Sequence, residues 1–162
     1  MKRRAAGRRE KIFLIKATMS DWNARVRGNP YRVLAVPERL SLQDLAESLV
    51  ESFGFDFDHC FGFYDNLKSW VDAKECYEVF KDLEEEEPRS VVEPSKCKGV
   101  KGTKVNEALN KVGKRLLFLF DYGDEWHFII QLKGVVPAEK GAMYPKIMES
   151  GGEAPPQYQN ES

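Results

Sequence analysis

The sequence predicts an α+β domain, a mostly antiparallel sheet of about five strands packed with two or three helices. Three observations carry that expectation. Two apolar, partly β-branched runs, residues 12–19 and 31–36, flank a turn-rich stretch. A stripe of Leu42, Leu45, Leu49 and Phe53 follows at i, i+3, i+7 and i+11. Further on, the apolar runs 116–120 and 126–136 stand on either side of the short polar link 121–125.

The first two runs read as an antiparallel pair that ends at Pro37, a residue unable to donate to a ladder. Ser41 with Asp44 three positions on resembles a capping box, and Gly54 sits where a helix end favours a left-handed residue. The stripe between them is therefore an amphipathic helix. From residue 55 to 63 the odd positions are Phe55, Phe57, His59, Phe61 and Phe63, whereas the even ones are Asp56, Asp58, Cys60 and Gly62. This alternation predicts an extended segment that turns its aromatics and His59 to the core and Asp56 and Asp58 outward.

Residues 65–102 contain Glu84 to Glu87, Pro88, Pro94, Gly99 and Gly102, which break any period. They read as a long surface excursion, and the four glutamates as a solvated loop. Thr103 is placed to cap a short helix through Val105, Ala108 and Leu109, ended by Gly113. The link from Asp121 to Glu125 reads as a hairpin turn in which Gly123 supplies a positive φ and the aspartates accept backbone N–H bonds. Alternation beyond it puts Trp126, Phe128, Ile130 and Leu132 on the core face and His127 on the other. Pro145, Pro155, Pro156 and the pair Gly151-Gly152 predict an irregular course after Pro137.

A length of 162 residues with 42% hydrophobic content fits one domain over residues 12–150, between a basic flexible tail (1–11) and an irregular C-terminal tail (151–162). No apolar run has the length of a membrane span, and the basic start does not lead into a signal-peptide core, so the expected location is cytoplasmic with no membrane partner. Cys60, Cys76 and Cys97 are odd in number and widely spaced, which signals neither a disulfide framework nor a zinc knuckle and suits a reducing compartment. Lys2, Arg3, Arg4, Arg8 and Arg9 crowd the first residues of a chain whose overall charge is −1, leaving an acidic body. No P-loop, dinucleotide fingerprint, HExxH or GxSxG pattern is present in the sequence.

Four passages resemble the plasmid pRiA4b open-reading-frame-three-like family, whose members also occur as passenger proteins of some insertion elements. They are Tyr31-Arg32-Val33-Leu34-Ala35-Val36-Pro37, the helix from Leu42 to Gly54, the group Asp56, Asp58 and His59, and Phe120-Asp121-Tyr122-Gly123-Asp124-Glu125-Trp126-His127. The resemblance implies a genomic setting among plasmids and transposons, which is not a mechanism. It lapses at Gly151-Gly152-Glu153-Ala154-Pro155-Pro156-Gln157-Tyr158, where the family's usual cysteine and acidic pair are missing.

The candidate surface is thus Asp58, His59, Asp121, Tyr122, Asp124, Trp126 and His127. Three functions compete for it. The first is a non-catalytic module that receives a protein or nucleic acid at this rim. The second is a divalent-metal hydrolase acting on phosphodiesters, with Asp121, Asp124 and His127 as ligands to Mg²⁺, Mn²⁺ or Zn²⁺ and Asp58 or His59 assisting a bound water. No cofactor other than such a metal is predicted. The third is nucleic-acid binding through Lys2, Arg3, Arg4, Arg8 and Arg9, by phosphate charge.

Overall fold

The computed structural model describes residues 2–20, 23–90 and 93–158. It begins with a two-residue strand, Arg4–Ala5 (β1), followed by the predicted opening pair, Lys11–Ser20 (β2) and Tyr31–Pro37 (β3), in antiparallel register with Ile15 opposite Leu34. The helix Leu42–Ser52 (α1) starts as its sequence indicates: Ser41 Oγ accepts the Asp44 N–H at 3.1 Å, and Gly54 beyond the C-terminus takes φ 81°. Its stripe of Leu42, Leu45 and Leu49 is fully buried.

Phe61–Tyr64 (β4) comes next, then Cys76–Glu78 (β5), the helix Val79–Glu86 (α2) and the short helix Val105–Ala108 (α3). Arg115–Phe120 (β6) and Trp126–Pro137 (β7) form the predicted hairpin, and Met143–Tyr144 (β8) and Lys146–Gly151 (β9) close the fold. Seven strands make one antiparallel sheet in the order β5-β4-β6-β7-β2-β3-β9, while β1 and β8 pair separately. The α+β expectation holds, with more strands than the five foreseen.

Strand β6 explains how the sheet is covered on both faces. Leu116, Phe118 and Phe120 point into the main core with the α1 leucines, and the intervening Leu117 and Leu119 point into a second cluster with Tyr64, Cys76, Cys97 and Trp70. All five β6 side chains are inaccessible to solvent, so the sheet needs a cover on each side. Helix α1 supplies one. The stretch between β4 and α3 supplies the other.

That stretch is therefore not the surface excursion expected. A disulfide joins Cys76 to Cys97, which the odd number and wide spacing of the cysteines did not signal, and Cys60 is free. The glutamate run is mostly helical rather than a loop, because Glu84 to Glu86 continue α2. Asp82, buried on that helix, accepts the N–H groups of Val100 and Lys101 at 2.8 and 3.2 Å, which satisfies its carboxylate within the fold.

Further corrections have local causes. Of the 55–63 alternation only residues 61–63 lie in a strand, β4, because the partner β6 leaves the ladder after Phe120, opposite Phe61. Residues 55–60 then have no ladder to join, and His59 does not follow the phenylalanines inward; 37% of its side chain is exposed. The cap of α3 is Lys104 rather than Thr103, whose hydroxyl donates to Gly99 O instead. Strand β9 sits in a region expected to be irregular. All but the last of its residues are exposed, so it lacks the alternation by which strands are read.

Both ends of the chain are tied to the body where described. Arg3 donates to the carbonyls of Pro145 and Met143, and Arg4 forms a two-point ion pair with Glu10 at 2.8 and 2.9 Å. The Arg4 hydrogen bond holds the Glu10 carboxyl down at about 2, against the opposing effect of burial. Arg32 joins three elements: it donates to Ser52 O at the end of α1, lies over the Phe53 ring, and donates to Gly151 O at the end of β9 and to Gly152 O beyond it.

Candidate functional site

The turn from Asp121 to Glu125 is built around the Asp121 carboxylate. Its Oδ1 accepts the N–H groups of Gly123 and Asp124 at 3.0 and 3.2 Å, while its backbone N–H donates to Cys60 O at 2.9 Å and its carbonyl accepts the Glu125 N–H at 2.5 Å. The left-handed residues are Asp121 (φ 68°) and Glu125 (φ 51°), not Gly123 as the turn chemistry suggested. An aspartate tolerates that conformation because its side chain bonds the backbone two residues on. Asp121 is only 6% exposed, and every polar group it has is engaged. Asp121→Ala is accordingly expected to lower the unfolding free energy by about 1–3 kcal/mol, the loss of the charged hydrogen bonds that hold the turn, as measured by urea denaturation.

Arg25 closes the same turn from outside. Its guanidinium lies 3.8 Å from the Trp126 ring centroid and donates to the carbonyls of Asp124 at 2.7 Å and Glu125 at 3.1 Å. Trp126 is buried, as strand alternation predicts, against Phe55. Its indole N–H has no hydrogen-bond partner among the described residues.

The two histidines go to different partners. His59 Nδ1 is 2.7 Å from Asp58 Oδ1, and its Nε2 is 3.5 Å from Asp121 Oδ2. The Tyr158 hydroxyl donates to Asp58 Oδ2, and Gln157 brackets the Asp56 backbone, so the C-terminal segment docks on this rim. Burial raises the Asp58 carboxyl, but the hydrogen bonds from Tyr158 and His59 outweigh it and hold the group below its ordinary value. The same bond to Asp58 pushes the Tyr158 phenol up. His127 instead faces Glu125, with Nε2 3.2 Å from Oε1, the oxygen that also receives the Trp70 indole N–H at 3.3 Å.

Asp58, His59 and Asp121 are thus brought together, whereas Asp124 is exposed at the tip and His127 belongs with Glu125. Among the described residues no three His, Cys, Asp or Glu side chains are grouped so as to hold a metal ion; of the expected ligands, Asp121 is bonded within the turn, Asp124 stands exposed and His127 faces Glu125. Cys60 is a poor nucleophile where it stands, since burial pushes its thiol up. In the basic arm, Arg3 and Arg4 are committed to local contacts, leaving Lys2, Arg8 and Arg9 on the surface.

Tyr122, the remaining residue of the turn, points to the second face. Its ring packs against Trp70 and Phe80 at centroid distances of 5.3 and 4.9 Å, and its hydroxyl meets the Tyr64 hydroxyl at 2.6 Å. Tyr64 in turn donates to Glu78, so the shared hydrogen runs from Tyr122 to Tyr64. Burial, reinforced by the neighbouring phenol and the Glu78 carboxylate, keeps Tyr64 well above the ordinary phenol range, and burial with the Glu78 charge does the same for Tyr122. Gly62 makes the pairing possible: a Cβ there would stand 2.7 Å from both hydroxyl oxygens.

This aromatic group borders a cavity of about 340 Å³ that sequence reasoning missed. Trp70, Tyr64 and Phe80 form walls, the Cys76–Cys97 bridge lines it, and Glu78, Glu84 and Glu93 supply carboxylates. The available signal was the presence of Trp70 and residues 77–80 as apolar pieces inside a polar, glutamate-rich stretch.

A crystal structure of a protein of unknown function, MM3350 from Methanosarcina mazei Go1, is similar to the fold, with a TM-score of 0.64 and 17% identity over 87% of this chain and 70% of that one. No curated protein matches the chain. The model of the plasmid pRiA4b ORF-3-like protein family matches residues 11–158, nearly the whole described fold, and the chain belongs to that family.

Proposed function

We propose that this chain is a non-catalytic binding module whose receiving surface is the rim of the 121–125 turn on the Tyr122 side, with the aromatic cavity as its deepest point. The single observation that carries the reading is the division of labour within the turn. Asp121 and the Asp58-His59 pair are spent on one another and on the backbone, whereas Tyr122 packs against Trp70 and Phe80, which wall a concave, solvent-open space. Aromatic faces with a few placed polar groups are what such a space needs to hold a ligand. The metal-hydrolase reading gains no such support, because its ligands face different partners.

The test uses a photo-crosslinking residue at Val71, 63% exposed on the cavity rim, against one at Val112, 60% exposed elsewhere. In cell extract, position 71 is expected to yield discrete adducts absent at position 112 and lost on Trp70→Ala. Identical adduct patterns from both positions would remove the basis of the reading.

A further inference from the structure

We infer that the cavity beside Tyr122 is a binding site for a primary alkylammonium, the end group carried by a lysine side chain or a free polyamine. The inference deepens the binding-module reading and rests on it. Three features of the cavity point to that chemistry.

The first is the pairing of aromatic faces with negative charge. Trp70 and Phe80 offer ring surface to a methylene stem and to the cation itself, with the buried Tyr64 behind them, and Glu78, Glu84 and Glu93 outnumber Lys96 as the charged lining. The Lys96 ammonium does not neutralise them. It donates to Ala73 O at 3.4 Å and makes no ion pair among the described residues.

The second is that two of the carboxylates are fixed in place. Ser95 gathers them: its hydroxyl donates to Glu78 Oε1 at 3.0 Å and its N–H to Glu84 Oε1 at 2.6 Å. Glu78 Oε2 accepts from Tyr64, and Glu84 Oε2 has only the longer 3.6 Å approach of Lys81. The Glu84 side chain is largely buried, so the carboxylate is held in surroundings that raise its value to a cation.

The third is the form of the acceptors. Both oxygens of Glu78 and one of Glu84 already carry a bond, so neither presents the free paired edge that matches a guanidinium fork. What these two leave are single acceptor positions on separate carboxylates, which suit the three radiating donors of a compact ammonium.

The experiment follows the ¹⁵N indole signal of Trp70 while three probes are added: Nα-acetyl-lysine methylamide, its neutral Nε-acetylated counterpart, and spermidine. The lysine probe, spermidine or both are expected to shift the signal saturably, more weakly at high salt, and the neutral probe is not. Response to the lysine probe supports a side chain as the source, and response to spermidine alone a free polyamine. Glu84→Gln keeps the acceptor for Ser95 but removes the charge, and is expected to weaken the cation about tenfold, the loss of one charged hydrogen bond. Glu93→Gln, at an exposed position, gives a second charge removal should Glu84→Gln fold poorly. Equal binding of the neutral probe, affinity unchanged by either substitution, or no response to any probe overturns the inference. In those cases the position-71 crosslinks decide separately whether the cavity still receives a partner of another kind.

Discussion

Phe118→Ala is expected to lower the unfolding free energy by about 3–5 kcal/mol, the loss typical of emptying a fully buried aromatic site. The residue is 0% exposed on β6 and lies among Phe61, Phe63, Phe120 and Phe128, at ring-centroid distances from 4.8 to 6.4 Å. These rings come from three adjacent strands, and backbone hydrogen bonding pins those strands on either side, so the neighbours have little freedom to close the void. Urea denaturation should show a lower midpoint with an unchanged slope. The consequence reaches the turn, because β6 carries Phe120 into Asp121 and Tyr122. A loss below about 1 kcal/mol would mean that the β4-β6-β7 packing is looser than described.

The second large effect concerns the cover of the opposite face. Replacing both Cys76 and Cys97 by serine is expected to cost about 3 kcal/mol, from the closure entropy of a loop whose ends are 21 residues apart. The bridge also joins β5 to the segment carrying Ser95, which positions Glu78 and Glu84. Hydrogen exchange should therefore quicken at the Lys98 N–H, which bonds Cys76 O, and at the Glu78 N–H, which bonds Lys98 O, with little change in β2 or β3. Exchange rising equally across the sheet would show that the bridge supports the whole fold rather than this cover.

How far the sequence revealed the molecule depended on whether each segment carried its own local signal. Helix α1 was legible because Ser41, the leucine stripe and Gly54 specify start, face and end independently. The hairpin was legible because β6 and β7 are long and strongly apolar. His59 departs from the expected inward course because alternation tells of a face only where a ladder exists, and the ladder stops two residues short of it, at Phe61. Strand β9 and the disulfide were invisible for related reasons. An exposed edge strand need not alternate, and a spacing of 21 residues between cysteines says nothing about whether their β-carbons meet.

The candidate site was legible in its anchor and not in its opening. The motif Phe120 to His127 did locate the turn, and Asp121, Asp58 and His59 do converge. Yet of the residues that looked like ligands the turn consumes Asp121, as expected of a carboxylate beside unpaired backbone N–H groups, while His127 turns to Glu125. The cavity draws its walls from β4, the Trp70 turn, β5, α2 and the segment around Ser95, separated by up to thirty or so residues in a polar stretch. Only the fold brings them together, so no spacing along the chain announces it.

Whether partners meet this chain on the Tyr122 face of the turn can be read from ¹⁵N-labelled protein placed in unlabelled cell extract. The Trp70 indole signal and the amides of Phe80, Ser95 and Tyr122 are expected to shift or broaden, while the Trp126 indole stays where it is. Responses confined to Asp58, His59 and Gln157, or to residues 2–9, with Trp70 unmoved, would contradict that expectation.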